Sequence, residues 1–165
     1  MTMLGPNLVM YEDEFERING VLGRLWTDSN AKIVFLVDKN GQQIAAKGDL
    51  DKVDATSLAS LTAGNIAATG GLAKIIGEEE FPIHFHQGQR DNLHITLVAG
   101  RIILVVVFDE RSSLGLVRLR VKKAGAELGH IFEEIRKKTE RAQAAGAASP
   151  FAEITDDDID NLFSE

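Results

Sequence analysis

Residues 102–108 read IILVVVF, seven large apolar side chains without a break. Successive side chains of a strand point to opposite faces of its sheet. A strand that is apolar at both parities has no face to give to water. It reads as a central strand covered on both sides. The run is far short of the ~20 residues a membrane helix needs, so no membrane insertion is expected. What this stretch requires is a sheet with helices above and below it.

The rest of the chain supplies those elements. Tyr11, Phe15, Ile18, Leu22 and Leu25 recur at helical steps and predict a helix from about Glu12 to Ser29. IVFLVD (33–38) and QQIAAKG (42–48) read as two strands of a hairpin around the turn residues KNG (39–41). Asp54 predicts the N-cap of a second helix over roughly 55–77, stopped by Gly77. The stretch 77–91, with glycine, proline, three glutamates and two histidines, reads as a loop. NLHITLVA (92–99) and residues 102–108 flank a turn at Gly100-Arg101. LVRLRVK (116–122) alternates, with Val117, Leu119 and Val121 on one parity, and reads as a third strand of that meander. Ala124, Leu128, Ile131 and Ile135 predict a third helix over about 123–140. The result is an α+β chain of order α-β-β-α-β-β-β-α, with a five-stranded antiparallel sheet and helices on both faces. In 165 residues this is one domain, set at 9–140, followed by a flexible linker at 141–150 and an acidic amphipathic segment at 151–165.

The second helix is unusual. Ala55 to Ala73 contains no charged residue. Leu58, Leu61, Asn65, Ala68, Leu72, Ile75 and Ile76 form one stripe, expected to pack on the sheet. The other side carries Thr56, Ala59, Ala63, Ala67, Gly70 and Lys74, flanked by Ser60, Gly64 and Gly71. Each glycine inside a helix costs about 1 kcal/mol relative to alanine. Small side chains let another backbone approach closely, so this face is expected to meet a partner protein or a second copy.

Charge is unevenly placed. The net charge is −7, with −6 in residues 149–165 and +4 in residues 118–141. An acidic total argues against nucleic acid as the main partner. In the terminal segment Thr155 and Asp158 resemble a capping box, and Asp156 to Asp158 suit a first helical turn. Phe151, Ile154, Ile159, Leu162 and Phe163 are too apolar for a segment that only solubilises. They are expected to dock on a basic-rimmed apolar surface, and to be disordered when free.

Catalytic chemistry is hard to find. The chain has no cysteine, which excludes disulfides and thiolate sites and fits a cytoplasmic location; no secretory signal is visible. It has no P-loop pattern, no GxSxG and no dinucleotide fingerprint. His84 and His86 form an HxH, with His94 and the carboxylates 78–80 and Asp91 nearby in sequence, but the spacing matches no strong zinc pattern. Arg90, Arg101 and Arg111 are candidate trans-acting arginines for a GTPase. Arg118, Arg120, Lys122 and Lys123 could form a phosphate or anionic-lipid patch, but read better as a solvated strand face or a dock for the acidic segment.

KIVFLVDKNG (32–41), TSLASLTAGNIAATGGLAKIIGE (56–78), SLGLVRLRVKKA (113–124) and SPFAEITDDDIDNLFSE (149–165) resemble the MglB family of the Roadblock/dynein light chain superfamily. The likeness runs from about Val9 to Glu165. Ala126 and His130 depart from it, standing where the family has more polar or charged residues. The resemblance implies a homodimer, its sheets continued across the interface and its second helices side by side. Those helices would form a platform for one GTP-loaded, Ras-like GTPase of the MglA type, with Ala63, Ala67, Gly70, Gly71 and Lys74 on or beside it. It implies a GTPase activator for bacterial gliding motility and cell polarity, working at a cell pole, that reshapes the GTPase instead of inserting an arginine. Such a chain has no active site, cofactor or metal of its own. The terminal segment 151–163 would dock on a second surface of the GTPase and tune exchange. Two other readings stay open: a Roadblock scaffold that binds a GTPase or motility complex without accelerating hydrolysis, and a metal- or ligand-binding enzyme built on His84 and His86.

Overall fold

The computed structural model describes residues 2–4 and 8–147. A short antiparallel hairpin, β1 (Thr2–Leu4) and β2 (Leu8–Met10), leads into helix α1 (Glu12–Ser29). Strands β3 (Ile33–Asp38) and β4 (Gln43–Gly48) follow, then helix α2 (Ala55–Ile75). Strands β5 (Ile83–Gln87), β6 (Asn92–Val98) and β7 (Ile102–Phe108) precede the long helix α3 (Leu114–Ala147). The main sheet has the order β4-β3-β7-β6-β5, antiparallel throughout. No helix among the described residues is long and apolar enough to cross a membrane.

The central place of 102–108 is borne out. β7 lies between β3 and β6, and its alternate side chains enter two cores. Leu104 and Val106 join Val34, Leu36, Ile18, Leu22, Val121 and Leu128 under α1 and α3. Ile103 and Val105 join Ile33, Phe35, Val37, Ala59 and Ile66 under α2.

Local chemistry fixes the joints. Asn30 closes α1 in the left-handed region, at φ 54°, which asparagine tolerates better than most residues. Asp38 holds the β3–β4 turn: its Oδ1 accepts from the backbone N–H groups of Asn40 (2.9 Å) and Gln42 (3.0 Å). Asp54 is the N-cap expected from sequence; it accepts from the Ser57 amide at 3.1 Å and hydroxyl at 2.6 Å. Those bonds hold its carboxyl below the ordinary aspartate value. α1 and α3 run antiparallel, pinned by Glu14–Lys138, Arg17–Glu134 and Arg24–Glu127 ion pairs.

Four sequence expectations need correction. The fifth strand of the sheet is β5, inside the stretch expected to be a loop, whereas residues 116–122 open helix α3. Val117 and Val121 are buried but Leu119, on the same parity, is 62% exposed. Burial continues through Ala124, Leu128, Ile131 and Ile135, the helical period, and Ser113 Oγ accepts from the Leu116 N–H at its start. β5 leaves little strand pattern in the sequence because it is an edge strand with mostly exposed side chains. On α1, Ile18, Leu22 and Leu25 are buried as expected, but Tyr11 and Phe15 are exposed and Glu14 takes the inward position. Finally, α3 continues through Ala147, so residues 141–147 are helical where a linker was expected. The docking segment, with Phe151, Ile154, Ile159, Leu162 and Phe163, lies outside the described residues.

Candidate functional site

The face of α2 that meets the sheet is not the one with the large side chains. Ala59, Thr62, Ile66 and Ala73 are buried there, with Leu58 and Ala63 packed beside them. The strand surface beneath is already bulky, with Ile33, Phe35, Val37, Ile103 and Val105, so small residues are what let the helix sit close. The expected sheet-facing stripe is therefore overturned for its largest members. Leu61 is 73% exposed, Leu72 59%, Ile75 82% and Ile76 67%.

A third side of α2 is small and exposed. It carries Ser60, Gly64, Ala67 and Gly71, with Lys74 at its end. Of the platform candidates, Ala67, Gly71 and Lys74 are on this surface, while Ala63, packed against the sheet-side core, and Gly70 are half-buried. Cβ atoms added at Gly64, Gly70 and Gly71 would meet nothing within 4 Å. These glycines are thus not demanded by packing inside the protomer.

β5 lies at the margin of the same sheet. It pairs with β6 alone, in the register Ile83↔Thr96 to Gln87↔Asn92. Edge strands are usually protected by charge, proline or a covering element. The opposite edge, β4, carries Lys47 and has α1 packed against it. Residues 83–87 contain no charged side chain, and Ile83 and Phe85 are exposed apolar residues. On the α2 face of neighbouring β6, Leu93 and Leu97 are only partly buried. An exposed apolar helix side, a half-covered apolar sheet face and an unguarded strand edge therefore occur in one protomer. The signal available in sequence is the missing charge of residues 55–73, which does not say which stripe of the helix meets the sheet.

The other candidates do not assemble into a catalytic centre. Arg90 is in the β5–β6 turn and Arg111 follows β7, at one end of the sheet, while Arg101 is in the β6–β7 turn at the opposite end. Arg111 is engaged with Asp109 at 3.0 Å, and this contact holds the Asp109 carboxyl below its usual value. His94 is buried on β6, away from His84 and His86; burial, helped by Arg118, lowers its basicity. Arg118, Lys122 and Lys123 are exposed on the first turns of α3, not on a strand. Among the described residues, no group of three or more histidines and carboxylates could hold a metal ion.

The Roadblock/LC7 domain model matches residues 18–108. The structure of Myxococcus xanthus MglB is 63% identical, with 78% of this chain and 96% of that chain covered and a TM-score of 0.74. The gliding protein MglB of Thermus thermophilus is 38% identical, with 79% and 99% covered and a TM-score of 0.74. A structure of MglB with a tetrameric arrangement is also 38% identical, with 80% and 99% covered and the same TM-score. No curated protein sequence matches the chain. By sequence and by fold, the chain belongs to the Roadblock/LC7 family.

Proposed function

We propose that two copies of this chain pair through their β5 edges and α2 helices, and that the paired helices bind and activate a Ras-like GTPase of the MglA type. The observation that carries this reading is the exposure of Leu61, Leu72, Ile75 and Ile76 on a helix whose only charge is Lys74. Burying a large aliphatic side chain stabilises by about 1.5–3 kcal/mol. A symmetric interface buries each of them twice, enough to offset the entropy of association. The unguarded β5 edge gives the second copy a backbone to pair with. The tetrameric arrangement of an MglB relative supports self-association, and the Thermus thermophilus relative, a gliding protein, supports the motility setting.

With Leu61, Leu72, Ile75 and Ile76 covered, Ala67, Gly71 and Lys74 remain as the outward surface of the helix pair. This is the platform for the GTP-loaded GTPase. The resemblance to MglB implies activation by reshaping the GTPase, and the engagement of Arg111 by Asp109 is consistent with that for this one arginine. The segment 151–163 is a second contact on the GTPase, and action at a cell pole belongs to the same reading.

Ala67→Arg with Gly71→Arg tests the platform. Gly71 has open space around it and arginine is a better helix former than glycine, so the fold and the dimer are expected to survive. Stimulation of GTP hydrolysis is expected to vanish; a fully active double mutant would sink the assignment. In the same assay, a chain ending at residue 148 should keep its fold and change GTPase affinity or exchange, and unchanged behaviour would remove the segment's role. Binding without acceleration by the unaltered chain would move it to the scaffold class.

A further inference from the structure

His84 and His86 are absorbed by none of this, yet their placement is specific. They stand opposite Ile95 and Leu93 in the β5–β6 register, and so lie on the α2 face of the edge strand. Their rings are nearly parallel, 14° apart, with centres separated by 6.5 Å. Two imidazoles bound tetrahedrally to one Zn²⁺ have centres about 5 Å apart, since each Zn–N bond is about 2.0–2.1 Å. Turning the exposed His86 ring can close the difference while His84 keeps its place. His84 Nε2 is 2.9 Å from the carbonyl oxygen of Phe81. A carbonyl only accepts, so the proton is on Nε2 and the Nδ1 lone pair is free. A ring N–H donated to a backbone carbonyl is the usual orienting contact of a metal-binding histidine.

One protomer supplies only these two ligands. The dimer proposed above supplies the rest, and the inference depends on that reading. When an edge strand pairs antiparallel with its own copy about a two-fold axis normal to the sheet, opposite residues share a face. An axis at Phe85 pairs all five residues of β5. It sets His84 opposite His86 of the partner subunit, and His86 opposite the partner's His84. Directly opposed Cβ atoms lie about 4.5–5.5 Å apart. We propose that the β5–β5 junction binds one divalent transition-metal ion through four imidazoles, two from each protomer. An all-nitrogen set suits Zn²⁺, Ni²⁺ or Cu²⁺ and disfavours Mg²⁺ and Ca²⁺, which take oxygen. The ion would tie together the two edges on which the platform rests.

The test uses untagged full-length chain stripped with a chelator, and reads Zn²⁺ binding by calorimetry and mass by light scattering. One Zn²⁺ per two chains is expected, with no response to Mg²⁺. His84→Ala and His86→Ala should each abolish binding at this ratio, since by symmetry each removes two of the four ligands. His130→Ala, altered on the exposed surface of α3, should not. A metal-free monomer that becomes a dimer with Zn²⁺ would support the site, as would a dimer that binds Zn²⁺ at this ratio. A dimer that binds no Zn²⁺, or binds it unchanged in both variants, overturns the site and leaves the dimer reading standing. A monomer with and without Zn²⁺ overturns both.

Discussion

A chain carrying Leu72→Glu and Ile75→Glu together is expected to be a folded monomer, and the unaltered chain a dimer. Inside the protomer these two side chains are largely exposed, so replacing them removes little packing. Helical propensity is not harmed, because glutamate ranks with leucine and above isoleucine. Across the proposed interface the consequences are large. Each substitution forfeits about 1.5–3 kcal/mol of apolar burial and adds a carboxylate that must be desolvated. By symmetry every change acts twice, and the new charges of the two copies face one another. Each 1.4 kcal/mol is tenfold in affinity, so a loss of several kcal/mol raises the dimer dissociation constant by more than about 1,000-fold. Sedimentation at micromolar concentration would read this directly, with circular dichroism as the check on folding. A dimer of unchanged affinity would show that the exposed α2 stripe is not the interface.

Gly48→Ala has the largest expected effect on stability. Gly48 ends β4 opposite Ile33, with φ at +115°, a region that residues with a Cβ rarely adopt. An added Cβ would lie 2.2 Å from the Lys32 carbonyl oxygen, 2.9 Å from Trp26 Nε1 and 3.0 Å from Ile33 Cα. Two of these are backbone atoms. The Lys32 oxygen is also fixed as an acceptor, taking the Asp49 N–H at 3.1 Å and Trp26 Nε1–H at 3.3 Å. Nothing there can yield without breaking the β3–β4 junction and the packing of Trp26. The expected cost is about 3 kcal/mol or more, the range of strain at a special backbone position. Gly100→Ala is the control. Its φ is +70° but the space around it is open, and it should cost about 1 kcal/mol. Urea unfolding of both variants decides the matter. Equal midpoints would contradict the steric argument.

The fold was legible where burial is complete. The seven-residue apolar run and IVFLVD both declared buried strands, and Asp54 declared a helix start. Legibility failed where exposure erased the pattern or where one pattern imitated another. IHFHQ has little apolar contrast because β5 is an edge, and its neighbouring glycine, proline and glutamates read as loop chemistry. LVRLRVK alternates over too few residues to distinguish a strand from the first turns of a helix. Only the continuation through Leu128 and Ile135 settles the period. For α2 the absence of charge is visible in the sequence, but the side that meets the sheet is not. A helix apolar or small all round offers no contrast by which sequence can choose its sheet-facing side. Shape made the choice: the small residues went inward against bulky strands, and the large ones were left for another surface.

The most direct test of the account is GTP turnover by the cognate MglA-type GTPase, with and without this chain, alongside light scattering of the mixture. The account predicts strong acceleration by a complex of two chains and one GTPase. A complex without acceleration, or no complex at all, would contradict it.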